Sequence, residues 1–239
     1  MRQSMGYHDG YVANESYNRS MSGLKFDHAT LRLRPADEIL KESEAFFMNE
    51  GKVHMTLKRL SQSLEDEGIS YAVIGGMALN LFGYSRETVD VDVLLTREGL
   101  QRFRDRLVGR GYVLAFPGAS KTFRDAETKV KVEVITEGEY PGDGKPKSVV
   151  FPDPSTARYS RDGYWIVTLE KLIDLKLASG LSAPHRMKDL VDVQELIGAL
   201  NLPLELADHL NESVRDEYRH LWELAHYEDD GPQERQPRE

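Results

Sequence analysis

The chain has no cysteine, which excludes disulfides, thiolate metal sites and cysteine nucleophiles. It also lacks any apolar run of roughly 18 residues, the length that a membrane-spanning helix requires. The opening stretch MRQSMGYHDGYVANESYNRS contains no apolar core of a signal peptide. The expectation is therefore a cytoplasmic protein with no membrane partner. Positive charge is not in excess. A formal net charge of −9 argues against a general nucleic-acid coat protein, which is normally basic, and leaves room only for a local groove. No internal repeat and no histidine set at metal-ligand spacing occurs; His185, beside Arg186, is the one histidine near the residues singled out below.

What is present centres on one stretch, Tyr71 to Leu95, YAVIGGMALNLFGYSRETVDVDVLL. It reads as a buried strand (Ala72–Ile74), a glycine pair, a short helix (Met77–Phe82), a loop and a second strand. Val89 to Val93 alternate apolar and acidic residues, so a period of two puts Asp90 and Asp92 on one face, with Cα atoms roughly 7 Å apart. Two carboxylates projecting together repel unless a cation lies between them, and a divalent metal ion is the usual solution. Gly75 and Gly76 allow close approach of a ligand to the backbone, and the free N–H groups of the helix start attract phosphate. Together these features describe a metal–nucleotide site.

At 239 residues the chain can bury one good core and a small helical appendage. Residues 1–36 are polar and without sustained period, and are expected to be loosely attached or disordered; the tail 228–239 reads the same way. Pro35 and Asp37 open a predicted helix running to Met48. A second helix spans about Lys52 to Glu67, with Val53, Leu57, Leu60 and Leu64 in one stripe and Gly68 as its stop. Thr96 caps a helix that turns Leu100, Phe103 and Leu107 inward. Strands are predicted at Tyr112–Phe116, Lys121–Arg124 and Val130–Ile135. Glu137 to Arg161 reads as a long loop with a short strand at Ser148–Phe151. Gly163–Val167 is a further strand, and Thr168 begins a helix that Gly180 ends. A helix from about Pro184 to Leu200 follows, and Pro203 starts a last one.

Three of these segments carry charged residues in notable places. Lys129, Lys131 and Glu133 share one face of their strand. Lys176 lies amid the apolar arc of Leu169, Leu172 and Ile173, where a lysine must snorkel to water or meet a negative partner. Asp189 falls within the buried arc of the next helix and Arg186 near its start, whereas Lys188 points away and Asp192 sits at the edge. An Arg186–Asp189 or Lys176–Asp189 pair bracing the two helices is one account, and a place at the rim of a cleft is the other.

The glycine pair, the spacer with Arg86 and Thr88, and Asp90-Val91-Asp92 resemble the nucleotidyltransferase signature of the polymerase-beta-like superfamily. Together with the later LIDLKLASGLSAPHRMKDLVDV, they look most like its minimal, AbiEii toxin-like bacterial branch, over roughly residues 70–200. The resemblance implies a mixed α/β (α+β) fold: a small, partly antiparallel sheet backed by helices, with a core at 37–167 and a C-terminal helical subdomain at 168–227. It implies Asp90, Asp92 and Glu133 as ligands of Mg²⁺ or Mn²⁺, Glu133 being the third carboxylate or the general base where the family more often has aspartate. It further implies Lys176 as a catalytic residue on the nucleotide phosphates. Gly75, Gly76, Arg86, Thr88, Arg186 and Asp189 complete the expected nucleotide site. Many relatives have Gly-Ser where this chain has Gly75-Gly76, so a serine contact passes to backbone N–H groups. The implied reaction moves a nucleoside monophosphate from an NTP to an acceptor hydroxyl on RNA, protein or a small molecule such as an antibiotic. The branch adds a cognate antitoxin or phage-defence partner. A catalytically silent binding module on the same fold is the alternative from a different class.

Overall fold

A computed structural model describes residues 51–227, which belong to one compact unit; the helix expected at 37–48, the segment 1–36 and the tail 228–239 lie outside them. The chain in order reads α1 (Lys52–Asp66), β1 (Tyr71–Ile74), α2 (Gly75–Phe82), β2 (Asp90–Leu95), α3 (Arg97–Arg106), β3 (Tyr112–Leu114), β4 (Thr122–Asp125) and β5 (Lys131–Thr136). Then come β6 (Arg158–Arg161), β7 (Tyr164–Val167), α4 (Leu169–Ser182), α5 (Met187–Leu200) and α6 (Arg215–Ala225). Short 3₁₀ turns precede α5 and α6. Among the described residues, no helix is long and apolar enough to cross a membrane.

Among the described residues, seven strands form one sheet in the order β3-β4-β5-β2-β1-β7-β6. β2 runs parallel to β5 and β1 to β7, and the remaining neighbours are antiparallel. The mixed, partly antiparallel sheet with helices expected from the sequence is what the chain adopts. The middle strands are the most apolar: β1 is buried along its whole length, and Val91, Val93, Val132 and Val134 are all buried. Those valines alternate with Asp90, Asp92, Lys131 and Glu133 along β2 and β5, so the sheet carries core on one face and charge on the other.

α1 turns Val53, Leu57, Leu60 and Leu64 inward as its stripe predicts, and Thr96 caps α3 by accepting a hydrogen bond of 2.9 Å from the Gly99 N–H. Other expectations need correction. Ser148–Phe151 forms no strand; instead Phe151 exchanges backbone hydrogen bonds with Gly138 and Glu139. Within the expected loop, Arg158–Arg161 is a strand, the sheet edge paired to β7. Its residues are half-buried or exposed, so no apolar alternation announces it. The last helix does not start at Pro203: 3₁₀ turns at Leu204–His209 and Glu212–Val214 precede α6.

Gly180 does not end α4. It sits inside the helix, where a Cβ would lie 2.5 Å from Leu190 Cγ on α5. The glycine lets two helices approach closely. Helix propensity alone makes Gly180→Ala stabilising; the contact reverses the sign. We expect a loss of about 1–3 kcal/mol from overpacking, read as a lowered denaturant midpoint, and a raised midpoint would contradict this packing account.

Candidate active site

The register of β2 and β5 assembles the charged face. Asp92 pairs with Glu133 and Asp90 with Lys131, so residues forty or so apart in sequence become lateral neighbours. Asp90, Asp92 and Glu133 each offer a carboxylate oxygen, and these oxygens lie within 4.8 Å of one another. Burial, then Asp90, then Glu133 push the Asp92 carboxyl up to about 7, and Lys131 and Lys176 offset this only in part. Lys131 stands within the cluster: its Nζ is 3.0 Å from Asp90 Oδ2 and 2.8 Å from Glu133 Oε2. Burial works against its charge, but hydrogen bonds to Glu133 and Asp90 outweigh that and hold the ammonium above its ordinary range.

The glycine pair has a geometric reason of its own within the site. Ile74 lies opposite Asp92, so the next residue, Gly75, meets the aspartate side chain. A Cβ on Gly75 would stand 2.0 Å from Asp92 Oδ2, and its φ of +65° is in the left-handed region. A Cβ on Gly76 would lie 2.8 Å from the Thr88 side chain. The space that the glycines free is thus filled by the site's own Asp92 and Thr88. Thr88 in turn donates from Oγ1 to Asp90 Oδ1 at 3.1 Å. Asn80 of α2 ties the connecting loop down: its Nδ2 donates to the carbonyls of Gly76 and Arg86, and its Oδ1 accepts from the Arg86 N–H. Gly75→Ala is expected to cost about 1–2 kcal/mol through the left-handed backbone alone, more through displacement of Asp92. A melt showing wild-type stability would refute this placement.

A second charged layer comes from α4 and α5. Lys176 Nζ donates to Asp189 Oδ1 at 3.0 Å and to Asp192 Oδ2 at 2.7 Å. Arg86 Nη1 reaches the same Asp192 oxygen at 2.8 Å, while Asp189 Oδ2 accepts from Ser179 Oγ and Arg186 Nε. Burial pushes the Asp189 carboxyl up, but Lys176, Ser179 and Arg186 outweigh it and hold its pKa below the ordinary range. Of the two accounts of these helices, the bracing pairs are present, both Lys176–Asp189 and Arg186–Asp189. Asp192, expected at the edge of the buried arc, is buried and accepts from both Lys176 and Arg86.

All ten residues singled out from sequence line a single cleft of about 640 Å³: Gly75, Gly76, Arg86, Thr88, Asp90, Asp92, Glu133, Lys176, Arg186 and Asp189. Lys188, expected to point away, lines it too, as do Lys131, Glu139 and Tyr140. Two residues of the charged network, Lys131 and Asp192, were given no site role from sequence. Lys131 was visible on the face of Glu133, but its bond to Asp90 depends on strand pairing. Asp192 depends on Arg86, a partner 106 positions away.

No protein-family model matches the chain, and none of the curated proteins does. Solved structures are similar to it at low identity. JHP933 from Helicobacter pylori is 16% identical, with 81% of this chain and 94% of that one covered and a TM-score of 0.40. The antibiotic-resistance factor ANT(2'')-Ia is 13% identical, with 72% and 96% covered and a TM-score of 0.47. An antigenic nucleotidyltransferase-like protein from Paracoccidioides brasiliensis is 18% identical, with 61% and 75% covered and a TM-score of 0.42.

Proposed function

We propose that the chain is a nucleotidyltransferase dependent on Mg²⁺ or Mn²⁺, moving a nucleoside monophosphate from an NTP to an acceptor hydroxyl. The observation that carries this reading is the convergence of Asp90, Asp92 and Glu133 within 4.8 Å on one wall of a cleft. The residues fit such an ion. Their donors are hard oxygens, which suit Mg²⁺ and Mn²⁺, and Asp92 is crowded by two like charges that a cation would balance. When bound there, the ion would supply Lewis-acid stabilisation of the phosphates and activation of the attacking hydroxyl.

The chain's own residues would do the rest. Gly75 and Gly76 place the N-terminal N–H groups of α2 along the cleft, where they can bind phosphate oxygens. Arg86 and Lys176 add positive charge beside them, and Lys176 keeps a fixed position through Asp189 and Asp192. Arg186, about half exposed, forms the rim. In the reaction the acceptor oxygen bonds to the α-phosphorus as the bond from that phosphorus to the bridging oxygen breaks. Pyrophosphate leaves, and Glu133 takes the hydroxyl proton. Of the described residues, we assign 51–167 to the catalytic core and 168–227 to a helical part that supplies Lys176, Arg186 and Asp189. The acceptor is RNA, protein or a small molecule, and the two AbiEii-like segments support a toxin-type protein with a cognate antitoxin.

Transfer of label from each α-phosphate-labelled NTP to RNA, to protein and to a small-molecule extract tests the reading. Label is expected in one fraction with either ion, and none with Asp90→Ala. Label that persists in a folded Asp90→Ala protein would sink the assignment. No label in any fraction would favour a silent binding module.

A further inference from the structure

Two lysines approach the acidic cluster, and they are held in opposite ways. Lys176 is buried and fixed between Asp189 and Asp192. Lys131 is about one-third exposed, its stem starts on β5 beside the cluster, and its partners are Asp90 and Glu133 themselves. An ammonium at 3.0 and 2.8 Å from those oxygens takes lone pairs that a bound cation would need. Two cations sharing one pair of oxygens also repel at short range. A lysine head on a flexible four-carbon stem can swing into water once a divalent ion takes its oxygens.

We infer that Lys131 is a built-in competitor for the cation site, holding the carboxylates together until a divalent ion displaces its ammonium. The inference rests on the metal-dependent reading above. It makes Lys131 a residue that sets the concentration at which the site fills. In the cation's absence it also relieves repulsion within the triad.

The test is calorimetric titration of the full chain with Mn²⁺, comparing wild type with Lys131→Met, Lys131→Gln, Lys131→Arg and Asp92→Asn. Both neutral variants are expected to bind on the order of tenfold more tightly, since a competing unit charge has gone. Lys131→Arg keeps the charge and should bind no more tightly than wild type, and Asp92→Asn should not bind. Thermal melts give a second readout. In chelator the neutral variants should melt lower than wild type, and Mn²⁺ should raise their midpoints by more. Wild-type binding with unchanged or weaker affinity in both neutral variants would overturn the inference and leave the metal reading standing. Absence of binding in wild type and in both neutral variants would overturn both. Binding that appears only in the neutral variants would support the inference in its strongest form.

Discussion

Asp92→Asn is expected to abolish divalent-cation binding and to cut nucleotidyl transfer by on the order of a thousandfold, while the cation-free protein melts no lower than wild type. The two halves of this result have one cause. The Asp92 carboxylate occupies the space that a Cβ on Gly75 would fill, and its neighbours Asp90 and Glu133 crowd it with like charge. Asparagine keeps the shape and removes the charge, so the repulsion disappears together with the ligand. A general structural role would give the reverse pattern, lower stability with partial activity. Folded Asp92→Asn protein that retains cation binding and near wild-type transfer would remove the triad from the mechanism.

Asp192→Ala is expected to produce the largest loss of stability, about 3–5 kcal/mol. Lys176 and Asp192 are 8% and 3% exposed, so neither charge is compensated by water. Asp192 Oδ2 accepts from both Lys176 and Arg86, and its removal takes the carboxylate from Arg86 and leaves Lys176 to share Asp189 with Arg186. Leaving a charge buried and unpaired is the costly event, whereas the intact pair contributes little net stability. Lys176→Met with Asp192→Leu together should therefore recover much of the loss in a denaturant titration. A cost under about 1 kcal/mol for the single change would mean that water reaches Lys176. The same network has a defined pH signature. Because the Asp189 pKa is depressed in the folded protein, its contribution is present above the ordinary carboxylate range. It is lost as acidification passes through the lowered value. Acid unfolding of wild type should accordingly be steeper than that of Asp189→Asn.

Much of the site was legible because strand periodicity is a short-range property. Val89 to Val93 and Lys129 to Ile135 each show their alternation within a few residues, so the facing of Asp90, Asp92 and Glu133 needed no tertiary information. Their meeting did need it, since β2 and β5 pair across α3, β3 and β4. Glycines were easy to locate and hard to interpret. Gly75 and Gly76 looked like room for a ligand, and a Cβ on either would also meet Asp92 or Thr88; Gly180 looked like a helix stop, and it is a helix contact. In each case the deciding atom belongs to a residue at least ten positions away. The edge strand β6 was hidden for another reason. An edge with half-exposed faces has little apolar pattern to show, and Arg158, whose guanidinium lies 4.3 Å from the centre of the Trp165 ring, resembles an ordinary loop cation in sequence.

The parallel pairing of β2 with β5 bears on how the protein comes to exist at all. Asp90 and Asp92 arrive with a local unit, the antiparallel β1–β2 pair joined by α2. Glu133 arrives only when the β3–β4–β5 meander docks, and long-range parallel pairings are slow to form because loop closure precedes their reward. The three carboxylates are therefore expected to meet late in chain assembly. An ion that needs all three has little to hold in the early ensemble, and it will act by slowing unfolding far more than by speeding folding.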